Sequence, residues 1–152
     1  MEKLNERLFE LFHDKNLGFL QRNEITLMFV ESKDKSCIPH LIEEILKPEN
    51  DYALPHYIWA VGQFDCSTMF EQLFSWAMSE NPEAASQAIQ ILEDQQVMPT
   101  QEQFDRCMKS LDDLEDLMPD EDENGLAHVD YLKDLLNAYT EPTCSYGQTY
   151  LH

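Results

Sequence analysis

The chain has 152 residues, a size that predicts one domain with a core large enough to need no disulfide. Its formal net charge of −20 disfavours direct contact with nucleic acid or anionic lipid, because phosphate binding requires clustered Lys and Arg. Only four glycines stand among many Leu, Glu, Gln, Ala and Met, and this helix-forming composition predicts an all-α fold.

The cysteines and the N-terminal residues favour a cytoplasmic location. None of the four cysteines forms a C-x-x-C pair, so we expect them to be reduced and buried rather than bridged or bound to zinc. The first residues carry charges throughout, unlike a signal peptide, and no stretch approaches the roughly 18 apolar residues of a membrane span. We therefore predict a soluble, cytoplasmic protein that does not contact a membrane.

Two amphipathic helices, at about 2–13 and 19–32, are predicted to open the chain as an antiparallel hairpin. The first helix has Leu4, Leu8, Leu11 and Phe12 at helical spacing. The second helix is expected to bury five apolar residues, namely Leu20, Ile25, Leu27, Met28 and Phe29.

Residues 37–95 contain a helix–turn–helix unit that occurs twice. A shift of 31 positions carries the apolar positions and Asn50 of the first copy onto apolar positions and Asn81 of the second. The matched pairs are Ile42 and Leu73, Ile45 and Trp76, Leu46 and Ala77, Leu54 and Ala85, Tyr57 and Ala88, Ile58 and Ile89, and Val61 and Leu92. Such a period is typical of stacked helical pairs, which bury their apolar stripes against their neighbours. The pattern predicts helices at about 37–47, 52–63, 67–79 and 82–95.

A third unit, residues 100–139, begins in register with the second and then acquires about twelve extra residues. Its first predicted helix, about 101–118, has an apolar stripe that consists of Phe104, Cys107, Met108, Leu111, Leu114 and Leu117. Its second predicted helix is at about 127–139, and residues 140–152 have the composition of a tail. The chain is thus predicted to be one helical-repeat domain over residues 1–152.

The first copy of the unit resembles a HEAT-type repeat. The strings IPHLIEEIL at 38–46 and YIWAVG at 57–62 flank a short Pro/Asn/Asp turn. The second string ends in Ala60-Val61-Gly62, similar to the Ala-Leu-Gly-like triplet that commonly closes such repeats. The second copy departs from this pattern, and the Asp/Arg pair of strong HEAT repeats is absent. The resemblance covers about sixty residues and implies a HEAT-like α-solenoid of about eight helices in antiparallel pairs, with one concave face.

The extra residues of the third unit are rich in carboxylates, namely Asp112, Asp113, Glu115, Asp116, Asp120, Glu121, Asp122 and Glu123. Within them, Asp120-x-Asp122-x-Asn124-Gly125 reproduces the first half of a calcium-binding EF-hand loop, which makes these residues a weak candidate for a metal site. Position twelve of that loop, where a bidentate Glu is expected, is Tyr131. We therefore prefer a plain acidic turn, which mimics the charge pattern of nucleic acid, and predict no metal and no cofactor.

The remaining polar residues contain no catalytic signature. The five histidines have no H-E-x-x-H or comparable ligand spacing, and the cysteines have no local His or Asn partner of a known nucleophile family. The glycines are isolated, so no phosphate-binding loop is present. We expect ordinary surface histidines and no enzymatic activity.

One aromatic residue lies outside the predicted apolar stripe. In the helix at 52–63, Trp59 points roughly 150° away from the stripe, at ~100° per residue. It is therefore predicted to be exposed on the concave face of the solenoid, where an exposed Trp among acidic residues is typical of an interface anchor. The alternative is that one of the first two helices covers it.

Small, acidic, non-enzymatic domains of this kind resemble the immunity proteins of bacterial polymorphic and contact-dependent growth inhibition toxin systems. The resemblance implies a monomeric protein that binds and neutralises a cognate toxin, a basic nuclease, in a 1:1 complex. The predicted partner-binding residues are Trp59, Asp112, Asp113, Asp116, Asp120, Glu121, Asp122 and Glu123. A HEAT-like scaffolding adaptor and a calcium-modulated helical protein are the alternatives.

Overall fold

The computed structural model describes the backbone of residues 2–140 and the side chains of residues 6–139. Over these residues the fold has eight α-helices, one 3-10 helix and no strand, so the all-α prediction is confirmed. The helices are α1 (Glu2–Phe12), α2 (Phe19–Ser32), α3 (Cys37–Ile45), α4 (Leu54–Val61), α5 (Phe70–Ala77), α6 (Pro82–Asp94), α7 (Gln101–Leu117) and α8 (Glu123–Thr140). The 3-10 helix, Pro48–Ala53, lies between α3 and α4. Residues 141–152 of the predicted tail, Cys144 included, lie outside the described residues.

Each helix packs against its neighbour in sequence, in the pairs α1–α2, α3–α4, α5–α6 and α7–α8. The pairs are joined mainly by contacts of α2 with α4, of α4 with α6, and of α5 with α7. One hydrophobic core runs from α1 to α8, and its largest fully buried side chains include Phe12, Phe29, Tyr57, Phe74 and Leu136. In the described part of the chain, no helix has the length and apolar character needed to cross a membrane.

The buried face of α2 differs from the predicted one. Leu20 is 74% exposed, and Leu27 and Met28 are each 44% exposed, so the prediction that these three are buried is wrong. The residues that α2 buries are Arg22, Ile25, Thr26 and Phe29. They have the i, i+3, i+4, i+7 spacing of one helix face, and Leu20 and Leu27 lie on the opposite face. A count of apolar residues does not detect this face, because two of its four residues, Arg22 and Thr26, are polar.

A buried polar network explains why α2 turns Arg22 inward. The guanidinium Nη1 donates to Glu44 Oε1 at 3.2 Å, and Nη2 donates to the Asp14 carbonyl oxygen at 2.8 Å. The amide of Asn50 donates to Glu44 Oε1 at 3.0 Å and to the Glu44 carbonyl oxygen at 2.9 Å. Arg22, Glu44 and Asn50 are all buried. The network therefore ties the start of α2 to α3 and to the 3-10 helix.

Glu44 remains ionised in this buried position because several donors surround it. Burial alone would raise the pKa of Glu44, but hydrogen bonds from Lys47, His13 and Asn50 outweigh burial, and the pKa of Glu44 is lowered. The Lys47 ammonium lies 2.6 Å from Glu44 Oε2. Buried carboxylates are found in proteins chiefly when they are paired and hydrogen-bonded in this way.

The two turn asparagines of the repeated unit have different roles. Asn81 caps the N-terminus of α6, where its Oδ1 accepts the backbone N–H groups of Glu83 and Ala84, both at 3.1 Å. Its Nδ2 donates to the Asp51 carbonyl oxygen at 3.0 Å. The apolar positions matched by the 31-residue shift are buried or half-buried, with one exception, Leu46, which is 67% exposed.

Candidate protein-binding surface

The predicted acidic residues lie together at one end of the α7–α8 pair. Helix α7 ends at Leu117, a short turn follows, and α8 begins at Glu123, about four residues before its predicted start. The group of exposed carboxylates here is called the acidic patch and consists of Asp112, Asp113, Asp116, Asp120, Glu121, Asp122 and Glu123. The structure thus brings seven of the eight predicted partner-binding residues into one stretch of exposed surface.

Two lysines neutralise part of the acidic patch. Lys133 Nζ lies 2.8 Å from Asp112 Oδ1 and 3.1 Å from Glu115 Oε1, and it therefore links α8 to α7. Lys109 Nζ lies 3.0 Å from Asp113 Oδ2, one helical turn away. The Lys109–Asp113 pair is largely exposed and contributes little to stability, whereas the Lys133 side chain is half-buried between the two helices.

The rest of the acidic patch is not neutralised. Within the described part of the chain, Asp116, Asp120, Glu121 and Glu123 form no ion pair. Residues 101–139 carry three Lys and Arg against twelve Asp and Glu, so basic groups are scarce in the whole α7–α8 pair. This end of the molecule therefore projects a negative potential that can attract a cationic partner.

The carboxylates lie in a favourable position at the start of α8 and in an unfavourable position at the end of α7. At the start of α8, Asp122 Oδ1 accepts the backbone N–H of Gly125 at 3.0 Å, and Glu123 lies in the first turn, where the helix dipole favours negative charge. The last turn of α7 contains no basic residue but includes Glu115 and Asp116, where the dipole favours cations. An acidic residue in the last turn of a helix costs roughly 0.3–1 kcal/mol, so helix stability does not account for an Asp at position 116.

Leu117 is an exposed apolar residue inside the acidic patch. The predicted stripe of α7 included Leu117 among the buried positions, but the side chain is 83% exposed, so that prediction is wrong. At ~100° per residue, position 117 has rotated roughly 100° from the centre of the face that buries Cys107 and Leu111. An exposed apolar side chain that lies between acidic residues in the chain, here Asp116 and Asp120, fits an interface anchor with a charged rim.

Trp59 is less exposed than the sequence predicts. Its side chain is half-buried, packs against the hydrophobic core and stacks on His56 with ring centroids 5.5 Å apart. The prediction that Trp59 is exposed is therefore wrong. The physical reason is that α4 packs against α2, α3 and α6 at once, so its surroundings leave no fully solvated face. Trp59 also belongs to a different helix pair from the acidic patch.

The turn between α7 and α8 does not have the form of an EF-hand loop. A twelve-residue loop that starts at Asp120 would extend to Tyr131, but the chain is already helical from Glu123 onwards. The Asp122 carboxylate caps α8, where its Oδ1 accepts the backbone N–H of Gly125. The weak calcium candidate, Asp120, Asp122 and Asn124, is therefore rejected on geometry.

No protein-family model, curated protein or solved structure matches this chain. The function is therefore inferred from the chemistry of the surface. The acidic patch could be predicted from sequence because its carboxylates are close together in the chain. Leu117 was predicted to be buried, although its angular position around the helix relative to Leu111 indicates an exposed residue.

Proposed function

We propose that this chain is a non-enzymatic protein-binding module that neutralises a basic toxin domain, as the bacterial immunity proteins that it resembles do. One observation carries the proposal. Five carboxylates of the acidic patch lack an ion pair among the described residues, and the same stretch of chain includes Leu117, which is 83% exposed. Exposed charge of one sign next to an isolated apolar side chain fits a surface that attracts a basic partner and then anchors it.

The overall charge distribution supports the same proposal. A nuclease must present a basic groove to phosphate, and a protein that blocks such a groove needs dense carboxylates in its place. The formal net charge of −20 would also accelerate the encounter with a basic domain at low ionic strength. The unfavourable position of Asp116 at the end of α7 fits a residue retained for binding rather than for stability.

We further propose that the helix pairs form a HEAT-like solenoid of antiparallel pairs. Support comes from the succession of contacts α2–α4 and α4–α6, in which the second helix of each pair packs against the second helix of the next. In a repeat stack, each unit contacts mainly its neighbours. The acidic patch would then lie at the C-terminal end of the stack.

The test needs a basic nuclease domain as the partner, and the gene next to the one that encodes this chain is where such a domain is to be sought. Purified domain and chain are mixed, and nuclease activity and surface plasmon resonance are measured at several salt concentrations. Inhibition at a 1:1 ratio, with an association rate that falls by about tenfold or more as salt is raised, is the expected result. Full nuclease activity in the presence of excess chain would refute the proposal.

Matched variants locate the binding surface. In the first variant, Asn or Gln replaces four acidic residues, namely Asp116, Asp120, Glu121 and Glu123. In the control, Gln replaces four other exposed residues, namely Glu24, Glu31, Glu49 and Glu80. Both variants change the net charge by the same amount. Slower association is expected from the first variant only, because local charge rather than net charge steers the partner.

A scaffolding adaptor is the second candidate, and one observation favours it. The outer face of α2 exposes Leu20, Leu27 and Met28, which an adaptor would use to contact another protein or a second copy of the chain. Sedimentation at increasing protein concentration distinguishes the two candidates. A monomer throughout supports the immunity role, whereas concentration-dependent association that Leu20→Gln abolishes supports the adaptor.

A further inference from the structure

A cluster of potential metal ligands lies where α1 and α3 meet, away from the acidic patch. The ligand atoms of His13, Glu43 and Glu44 all lie within 4.8 Å of one another. His13 Nδ1 is 3.0 Å from Glu43 Oε2 and 2.5 Å from Glu44 Oε2. In the part of the chain that the structure describes, this is the one group of three or more His, Cys, Asp or Glu residues that converges in this way. The sequence concealed it, because His13 and Glu44 are 31 residues apart.

The donor set suits zinc better than calcium or magnesium. An imidazole nitrogen and two carboxylates are three ligands that Zn²⁺ accepts in tetrahedral geometry, with water in the fourth position. Tetrahedral zinc separates its ligand atoms by roughly 3.4 Å, so His13 Nδ1 needs to move away from each of the two carboxylate oxygens by less than about 1 Å. The Glu43 side chain is 61% exposed, so it is able to make this adjustment and gives the ion a route from solvent.

Neighbouring residues hold the other two ligands in place. His13 Nε2 forms a 2.8 Å hydrogen bond with His40 Nδ1, and His40 stacks on Phe9 with ring centroids 3.8 Å apart. Arg22 and Asn50 hold the second carboxylate oxygen of Glu44, Oε1, so that Oε2 points towards His13. Metal-bound histidines commonly have a hydrogen-bond partner of this kind on the other ring nitrogen.

One cationic side chain already lies at this position. The Lys47 ammonium is 2.6 Å from Glu44 Oε2, and the Lys47 side chain is 37% exposed, so it is able to move into solvent. Arg22 is the other cation next to Glu44, but it contacts Oε1 and is buried. We propose that His13, Glu43 and Glu44 form a zinc-binding site in which the ion replaces the Lys47 ammonium. This site is separate from the acidic patch and does not depend on the proposed toxin binding.

The test is a metal titration of the full chain. After metals are removed with a chelator and the chelator is dialysed away, Zn²⁺ binding is measured by calorimetry at about 0.15 M salt, where weak binding to scattered carboxylates is screened. Co²⁺ serves as a second probe, since its visible absorption reports nitrogen and oxygen ligands in a low-symmetry site. One Zn²⁺ bound per chain, with a matching Co²⁺ absorption band, is the expected result.

Three variants identify the ligands. Glu43→Gln changes an exposed residue and should weaken Zn²⁺ binding by about tenfold or more, whereas Lys47→Met should tighten it by about tenfold because a competing cation is lost. The control Asp120→Asn/Asp122→Asn should leave Zn²⁺ binding unchanged. Circular dichroism verifies that each variant is folded before titration. Absence of Zn²⁺ binding, unchanged affinity in Glu43→Gln, or loss of binding in the control would each overturn the proposal.

Discussion

Replacement of Arg22 by Met tests the buried polar network. Met fills much of the volume of the aliphatic part of Arg22 but cannot replace the guanidinium contacts with Glu44 Oε1 and the Asp14 carbonyl oxygen. The Arg22 side chain is 7% exposed and that of Glu44 is 1% exposed, so water cannot readily take over these contacts. The variant therefore leaves a buried carboxylate short of one cationic partner.

The expected loss of stability follows from that burial. Removal of one partner from a buried ion pair typically destabilises a protein by 3–5 kcal/mol, because an uncompensated charge remains. Glu44 retains hydrogen bonds from Lys47 and Asn50 in the variant, so the low end, about 3 kcal/mol, is expected. With a urea m-value of roughly 1–3 kcal/mol/M, the midpoint of unfolding should fall by about 1–3 M.

A matched control separates the network from salt bridges in general. Arg106 pairs with Glu71 on the surface, where the two side chains are 56% and 43% exposed. Because solvent screens such pairs, Arg106→Met should lower the free energy of unfolding far less than Arg22→Met does. Urea unfolding of both variants is followed by circular dichroism with a chelator present, so that bound metal does not contribute. Equal losses in the two variants would refute the assigned role of the buried network.

Three further changes test other parts of the fold. Gly62→Ala should cost about 1–3 kcal/mol, because a Cβ there would lie 2.6 Å from the Ile91 side chain, and an unchanged melting temperature would contradict this packing. Thr100→Ala should cost about 1 kcal/mol, since it removes the N-cap of α7, and thermal melts that overlay those of the wild type would argue against the cap. Burial raises the pKa of Cys66 and of Cys107 to about 11, so both thiols should react with a disulfide reagent at pH 8 only after unfolding. Rapid reaction of either thiol in the folded protein would show that it is accessible.

The sequence located most helices because their ends carry local signals. Thr100 and Asn81 were recognisable as helix starts, and both cap helices that begin at the next residue. Pro82 in the first turn of α6 reinforced the second start. The start of α8 was missed by about four residues, because Asp122 was interpreted as part of an acidic loop rather than as an N-cap.

Side-chain exposure was harder to predict, because it depends on residues that are distant in sequence. Arg22 is buried because Glu44, 22 residues away, provides a partner, and no local pattern in α2 contains that information. Trp59 lies on the polar side of its own helix, yet neighbouring helices pack around α4 on several sides. Leu117 has the opposite outcome: it is exposed because its position around α7 has rotated away from the face that buries Cys107 and Leu111. The repeated apolar pattern could therefore be recognised from the sequence, whereas the exposure of individual side chains could not be predicted from it.

The hydrogen bond from the Asn81 side chain to the Asp51 carbonyl determines on which side of the first unit a further copy of the unit could attach. It joins the turn of the second unit to the turn of the first through main-chain and side-chain atoms that a copied unit would also possess. Asn50, the equivalent of Asn81, cannot donate the same hydrogen bond to a unit placed before it, because its amide group already donates to Glu44. A further copy of the unit placed after the first could therefore repeat this hydrogen bond, whereas a copy placed before it could not.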